Sequence, residues 1–144
     1  SDGASALIIA GEAAITQHNL TPMARIVAHS RFSRAPEEFT LAPVGAIEAL
    51  LAKTGWGVAD VDLWEINEAF AMVTMLSMRA FDLDHAKVNV HGGACAQGHP
   101  IGSTGSRIIV TLMHALKQYG KQRGVAALCI GGGEATAVAI EMIS

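Results

Sequence analysis

The stretch that decides the fold lies at residues 89–107, where the sequence reads NVHGGACAQGHPIGSTGSR. This pattern predicts a β-branched strand, then a glycine-dense turn that presents His99, and then the start of a helix. Five of the fourteen residues 92–105 are glycine, which allows positive φ angles and a close approach to a ligand. Because Pro100 restricts the backbone of the residues before it, we expect His99 at a bend ahead of a helix N-terminus. The unpaired N–H groups of a helix N-terminus favour an anion or an oxyanion that forms during a reaction. The alternative is a tight loop in which the histidine is incidental.

The composition indicates one globular domain with an excess of apolar residues. Of the 144 residues, 51% are hydrophobic and 16% are charged, whereas about 25% are charged in an average protein. We expect a sheet buried on both faces together with an apolar face that another chain covers, and hence a homo-oligomer. The net charge of −3 and the scattered basic residues argue against nucleic-acid binding.

Neither a membrane span nor a targeting segment is expected. Every apolar run is broken within about a dozen residues, short of the ~20 that a span needs. The first residues lead directly into a strand-like run, residues 6–10, without a signal sequence. Two cysteines, Cys95 and Cys129, are too few for a disulfide scaffold and suit a reducing compartment, so we expect a cytoplasmic protein.

The hydrophobic periodicity predicts an α/β fold in which strands and helices alternate. The predicted strands are 6–10, 24–30, 61–67, 87–91, 125–130 and 136–143, and the predicted helices are 12–18, 44–51, 69–81 and 103–119. From residue 22 onward, this order predicts a mostly parallel, mixed five-stranded sheet with helices on both faces and a C-terminal β-hairpin. The helix over 69–81 is apolar nearly all round, so we expect it to be buried.

Three polar motifs follow predicted strands, at the edge where ligands bind in sheets of this kind. They are Asn67-Glu68-Ala69-Phe70, Gly98-His99-Pro100 and Cys129-Ile130-Gly131-Gly132-Gly133. If the three ends meet, an amide, an imidazole and a thiol form a proton-transfer site with hydrogen-bond donors beside it. A reactive thiolate needs a pKa below ~8.5, and His99 is the neighbour expected to lower it.

Each of these residues also has a structural interpretation. Asn67 could cap the helix that follows it, and Glu68 could be a first-turn dipole partner or a loop anchor. Cys129 could be a small hydrophobic residue in a buried strand. We expect Cys95 in the core and His91 in a structural role.

Two other kinds of site fit the motifs less well. A metal site could use His91, Cys95, His99 and Cys129. Its spacing requires a helix that the surrounding glycines and Pro100 oppose, so no metal is expected. A non-catalytic domain that binds phosphate or CoA, or has a purely structural role, remains an alternative, although the P-loop and Rossmann glycine patterns are not met.

Three segments together resemble the C-terminal signatures of thiolases, the acetyl-CoA acetyltransferases. They are residues 64–71, 89–107 and 129–133, in that family's order and spacing, and residues 37–43 also resemble the family. The resemblance runs over essentially the whole chain. It implies that residues 1–21 are the last strand and helix of an N-terminal half missing from this chain, and that residues 22–144 are the thiolase C-terminal domain.

The resemblance also implies a role for each candidate residue. Cys129 would be the acid/base thiol that takes an α-proton in condensation and protonates a leaving thiolate in thiolysis. His99 would activate a nucleophilic cysteine from the other half and, with a water held by Asn67, stabilise an enolate oxygen. The N–H of Gly131 would serve a second oxyanion site. The substrate would be an acyl-CoA thioester with no further cofactor, contacted by Ala28, Ala69, Phe70 and Pro100.

The chain departs from the family pattern at four positions. Ala28 stands where many relatives have a serine that contacts the pantetheine arm, and Gln97 replaces an aliphatic residue. Cys95 is an extra thiol near the site, and Glu134 places a carboxylate directly after the glycines. Neither cysteine lies in the context of the acyl-carrying nucleophile, so we expect the isolated chain to have no turnover.

Overall fold

A computed structural model describes residues 1–143 as a mixed sheet with helices packed on both faces. The strands are β1 (Ala24–Ser33), β2 (Leu63–Ile66), β3 (Arg123–Cys129) and β4 (Glu134–Met142). The α-helices are α1 (Glu12–Gln17), α2 (Ala42–Thr54), α3 (Ala71–Phe81), α4 (Ala94–Gln97) and α5 (Thr104–Tyr119). Short 3-10 turns cover Pro36–Leu41, Val58–Asp60 and His85–Lys87. The α/β class, the helices on both faces and the C-terminal hairpin are therefore confirmed.

The sheet has four strands in the order β1-β4-β3-β2, not the five expected. Only β2 and β3 pair in parallel, whereas β4 is antiparallel to both of its neighbours, so the expectation of a mostly parallel sheet is wrong. The predicted strand 87–91 is reduced to one parallel bridge between Trp64 and Val88. Asn89 ends it by adopting φ 48, and its side chain bonds both the N–H and the C=O of Ile66 in place of a strand backbone.

The apolar run at residues 6–10 does not form a strand, contrary to the prediction. Ile8 and Ile9 are 95% and 76% exposed, and no strand among residues 1–143 pairs with the run. A strand needs a neighbour for its N–H and C=O groups, and the apolar pattern alone does not supply one.

The core has one layer on each face of the sheet. Helix α2 packs on one face, beginning with Pro43 in its first turn and ending at Gly55, whose φ is 71. Helix α5 packs on the other face and buries the predicted stripe Ile108, Leu112 and Leu116. Burial of each such side chain contributes about 1.5–3 kcal/mol, so both helices are held against the sheet mainly by apolar contact.

Helix α3 is only half-buried, although its composition predicts burial on all sides. Val73, Thr74 and Ser77 face the interior, whereas Met72 and Met75 are exposed, Met75 by 65%. An apolar helix face is buried only if another element covers it, and the face of α3 that carries Met72 and Met75 is exposed. No helix in the described part of the chain is both long and apolar enough to cross a membrane.

Candidate active site

A cavity of about 520 Å³ lies at the carboxyl ends of β2 and β3. Its walls are Phe39, Ala69, Phe70, His99, Ile101, Thr104, Leu128, Cys129, Ile130 and Gly131. The structure thus brings His99, Cys129 and Gly131 to one space, with Ala69 and Phe70 beside them. Two expected substrate contacts lie elsewhere. Pro100 borders a neighbouring cleft, and Ala28 on β1 packs against the core beneath α2.

The ring of His99 is oriented by a hydroxyl from the first residue of α5. Its Nδ1 lies 2.7 Å from Thr104 Oγ1, and the Thr104 hydroxyl donates to Pro100 O at 3.0 Å. With the hydroxyl proton directed to Pro100 O, Thr104 Oγ1 would accept from His99 Nδ1–H in the tautomer that leaves Nε2 unprotonated. The other ring nitrogen, Nε2, is therefore free. It can accept a proton when the ring is neutral and donate one when the ring is charged.

Cys129 is the last residue of β3 and lies at the cavity wall, half-buried, as a free thiol. Burial raises the pKa of this thiol above its ordinary value of 9.0. The expectation that His99 lowers the pKa of Cys129 is therefore wrong in this chain. At neutral pH Cys129 is a thiol that holds its proton, and its thiolate is a correspondingly strong base.

The glycine turn after β3 borders the cavity at Ile130 and Gly131. It is closed by the Ile130 N–H donating to Glu134 O at 2.7 Å and by the Arg34 N–H donating to Gly133 O at 2.9 Å. Gly133 has φ 100, and a Cβ there would lie 2.6 Å from Arg34 O, so only glycine fits. Within residues 1–143 the Gly131 N–H donates to no backbone acceptor, which leaves it available to a ligand oxygen.

Asn67 is 1% exposed and finds no partner for its side chain. Its backbone N–H donates to Ala127 O at 2.9 Å, which fixes the residue at the end of β2. Neither amide atom has a hydrogen-bond partner among the described residues, so the interpretation of Asn67 as a helix cap is wrong. A buried carboxamide without partners is the kind of group that holds an ordered water.

A second buried polar group lies two residues earlier on β2. Glu65 is 3% exposed, and burial raises its pKa to about 7, against a smaller opposing effect of the Arg107 charge. Arg107 extends from α5, and its Nε and Nη1 also lack hydrogen-bond partners in the described chain. Asn67 directly follows β2, two residues after Glu65, so the two side chains point to the same side of the extended chain. None of the three side chains is among the residues that line the cavity, and the Asn67 and Arg107 side chains are incompletely satisfied by protein groups.

Glu68 is confirmed as a loop anchor. Its Oε2 accepts from the Cys95 N–H at 2.9 Å and its Oε1 from Asn89 Nδ2 at 3.0 Å. Burial alone would raise the pKa of Glu68, but these hydrogen bonds hold it below its ordinary value. The carboxylate so ties the loop before His99 to the end of β2. Cys95 is exposed, because only Ala94 of the single turn α4 faces inward, so its expected place in the core is wrong.

Sequence reasoning missed several residues of the cavity. Thr104 orients the imidazole, and a hydroxyl at the first position of the helix after His99 was the available signal. Phe39 meets Phe70 edge to face with ring centroids 6.1 Å apart, and the two rings form an apolar wall. No pattern in the sequence predicts that contact, because Phe39 comes from a 3-10 turn distant in the chain.

No group of three or more His, Cys, Asp or Glu side chains among residues 1–143 is placed to hold a metal ion. In particular, His91 pairs with Tyr119 at a ring-centroid distance of 5.7 Å. The chemistry of the cavity therefore has to be argued from the thiol, the imidazole and the N–H donors.

Comparisons with known proteins identify the family of this chain. The family model "Thiolase, C-terminal domain" matches residues 20–142. A probable acetyl-CoA acetyltransferase of Dictyostelium discoideum is 47% identical over 99% of this chain and 34% of that protein. The cytosolic acetyl-CoA acetyltransferase of Mus musculus is 45% identical over 98% of this chain and 36% of that protein. The chain thus spans about a third of the length of these curated relatives.

Solved structures show the same likeness in three dimensions. The human mitochondrial 3-ketoacyl-CoA thiolase superposes with a TM-score of 0.90 at 45% identity, covering 93% of this chain and 34% of that one. A thiolase of Ascaris suum in complex with coenzyme A gives a TM-score of 0.88 at 41% identity, covering 93% of this chain and 35% of that one.

Proposed function

Because this chain belongs to the thiolase family and corresponds to its C-terminal domain, we propose that it supplies the acid/base half of a CoA-dependent acyltransferase. The reaction would be the Claisen condensation of acetyl-CoA and its reverse, the thiolysis of a 3-ketoacyl-CoA. The observation that carries this proposal is the single cavity shared by His99, Cys129 and Gly131. The acyl-carrying nucleophile would come from a further part of the protein, because the chain spans only about a third of its relatives.

In this proposal Cys129 moves the proton at the α-carbon. During condensation its thiolate takes the α-proton of a thioester, and the electron pair of the broken C–H bond moves to the carbonyl oxygen as an enolate. In the reverse direction, the C–C bond breaks, its electron pair leaves as the enolate, and the thiol returns a proton to the α-carbon. The raised pKa of Cys129 supports both roles, because the thiol holds a proton at neutral pH and its thiolate is a strong base.

The enolate oxygen needs donors, because an α-proton beside a thioester is far less acidic than a thiol. We assign these donors to His99 Nε2 and to a water held by Asn67, and we assign the Gly131 N–H to a second oxyanion site. The free Nε2 would first take the proton of the nucleophilic thiol. The Nε2–H formed in this way would then donate a hydrogen bond to the thioester oxygen. Losing one such donor typically costs ~2.7–4 kcal/mol of barrier.

Partners and location follow from the same proposal. The substrate is an acyl-CoA, with Ala69 and Phe70 along its path and no additional cofactor. The exposed apolar side chains Ile26, Met72 and Met75 favour contact with the other half or with a second subunit. The relatives carry the names of both cytosolic and mitochondrial proteins, and we propose the cytoplasm. Neither nucleic acid nor a membrane is a proposed partner.

The test uses a chimera in which this chain replaces the matching C-terminal third of the mouse cytosolic enzyme. We expect the chimera to cleave acetoacetyl-CoA in the presence of CoA, and the 144-residue chain alone to show no cleavage. Cys129→Ala should lower cleavage by about 10²–10⁴-fold, the usual contribution of a general acid–base group. Cys95→Ala is the matched control and should retain activity. A folded chimera without activity, or one that Cys129→Ala leaves unchanged, would overturn the proposal.

A further inference from the structure

The turn that holds His99 is contacted by the first residues of the chain, which belong to no helix or strand. Ser5 Oγ lies 2.6 Å from Ser103 Oγ and 2.6 Å from Ser106 Oγ. Ser5 Oγ and Ser106 Oγ also lie within hydrogen-bond distance of Ser103 O, at 3.1 Å and 3.0 Å, and the three hydroxyl protons are shared among these four contacts. We call these three residues the serine clasp. It joins the segment 1–5 to the start of α5, and Ser5 is the member that both other hydroxyls share.

Residues 1–5 fit closely against both chain neighbours of His99. A Cβ at Gly3 would lie 2.8 Å from Pro100 Cγ, so a side chain there would displace the proline. A Cβ at Gly98 would lie 2.6 Å from Ser1 Oγ, at a position where φ is +95. The segment therefore touches the turn on each side of the imidazole, and the serine clasp fixes its third point of contact.

A short series of hydrogen bonds connects the serine clasp to the imidazole. Pro100 O accepts from the Ser103 N–H at 2.8 Å and from the Thr104 N–H at 2.9 Å. Thr104 Oγ1 donates to that same carbonyl and lies 2.7 Å from His99 Nδ1. Since Ser103 is bonded directly to Thr104, a displacement of Ser103 displaces the hydroxyl that orients His99.

We propose that Ser5 is a positioning residue for His99. Its hydroxyl contacts Ser103 and Ser106, which flank Thr104 in the chain, and Thr104 orients the ring of His99. The consequence for catalysis rests on the proposed function, whereas the effect on the imidazole follows from the geometry alone.

The first test uses the 144-residue chain and needs no enzymatic activity. Ser5→Ala is compared with Ser33→Ala, an exposed serine at the end of β1. Two quantities are measured, the ring ¹⁵N signals of His99 and the amide hydrogen exchange of residues 103, 104 and 107. In Ser5→Ala we expect shifted ring signals and about two- to tenfold faster exchange at these amides, the effect of losing one hydrogen bond. Residues 125–128 of β3 should be unchanged, and Ser33→Ala should resemble the unaltered chain.

Unchanged ring signals in Ser5→Ala, or an equal increase of exchange throughout the chain, would overturn the proposal. A second test introduces Ser5→Ala into the chimera, where kcat should fall about two- to tenfold while KM stays constant. An inactive parent chimera would refute the proposed function and leave the ring signals as the deciding result. An active chimera that Ser5→Ala does not slow would count against Ser5 as a positioning residue.

Discussion

Replacing Glu65 by glutamine should stabilise the chain in a way that depends on pH. The carboxyl is 3% exposed, and burial raises its pKa to about 7 from the ordinary 4.5. The folded chain therefore binds this proton more tightly than the unfolded chain does. The contribution of Glu65 to the stability of the chain is fully present below pH 4.5. It is lost as pH rises from there through about 7, because the ionised carboxylate is desolvated in the folded state.

The size of the effect follows from the two pKa values. A difference between 4.5 and about 7, at ~1.36 kcal/mol per pKa unit, amounts to about 3 kcal/mol of unfolding free energy. Glutamine keeps the shape of the side chain and never ionises. The free energy of unfolding of Glu65→Gln should therefore exceed that of the unaltered chain by up to about 3 kcal/mol at pH 8. Near pH 4.5 the two free energies should differ by less than about 0.5 kcal/mol.

The assay is urea unfolding followed by tryptophan fluorescence at both pH values. Glu48→Gln on the exposed face of α2 is the matched control and should change stability at neither pH. The reasoning is refuted if Glu65→Gln gains nothing at pH 8, or gains equally at both pH values. Either outcome would mean that Glu65 ionises as readily in the folded chain as in the unfolded one.

Three further predictions concern the residues around the cavity. In a Cys95→Ser background, alkylation of Cys129 by iodoacetamide should still accelerate above pH 9.0, because burial raises the pKa of Cys129; a plateau below pH 8 would contradict this. Glu68→Gln should destabilise the chain by about 1–3 kcal/mol, since an NH₂ group would then face either the Cys95 N–H or the Asn89 amide. If urea unfolding shows that Glu68→Gln lowers the free energy of unfolding by less than 0.5 kcal/mol, roughly the smallest net contribution of a hydrogen bond, Glu68 does not act as a loop anchor. Thr104→Val should change the ring ¹⁵N signals of His99 by removing the acceptor of Nδ1–H, while Thr104→Ser should preserve them; a valine variant with unchanged signals would disprove the tautomer assignment.

The sequence was sufficient wherever local chemistry decides the structure. The stripe Ile108, Leu112 and Leu116 predicted the buried face of α5, and Gly55 predicted the end of α2. The convergence of His99 and Cys129 was also predictable, because the bridge at Val88, β2 and β3 run in parallel, so the segments that follow them lie at one edge of the sheet.

The expectations that failed depend on contacts distant in the chain. Residues 6–10 have strand composition but no pairing strand, and 87–91 are interrupted by the side chain of Asn89. The raised pKa of Cys129 reflects burial by the folded sheet, which spacing in the sequence does not show. The contact between Thr104 and His99 depends on how the intervening turn closes through Pro100 O.

The most direct test of the shared cavity is hydrogen exchange at the methyl group of acetyl-CoA. The chimera is incubated with acetyl-CoA in D₂O, and deuterium incorporation is followed by mass spectrometry. If Cys129 removes the α-proton while His99 and Asn67 support the enolate, the chimera incorporates deuterium, and Cys129→Ala, His99→Ala and Asn67→Ala each slow it. Incorporation that continues undiminished in Cys129→Ala would contradict the assignment of the thiol as the base.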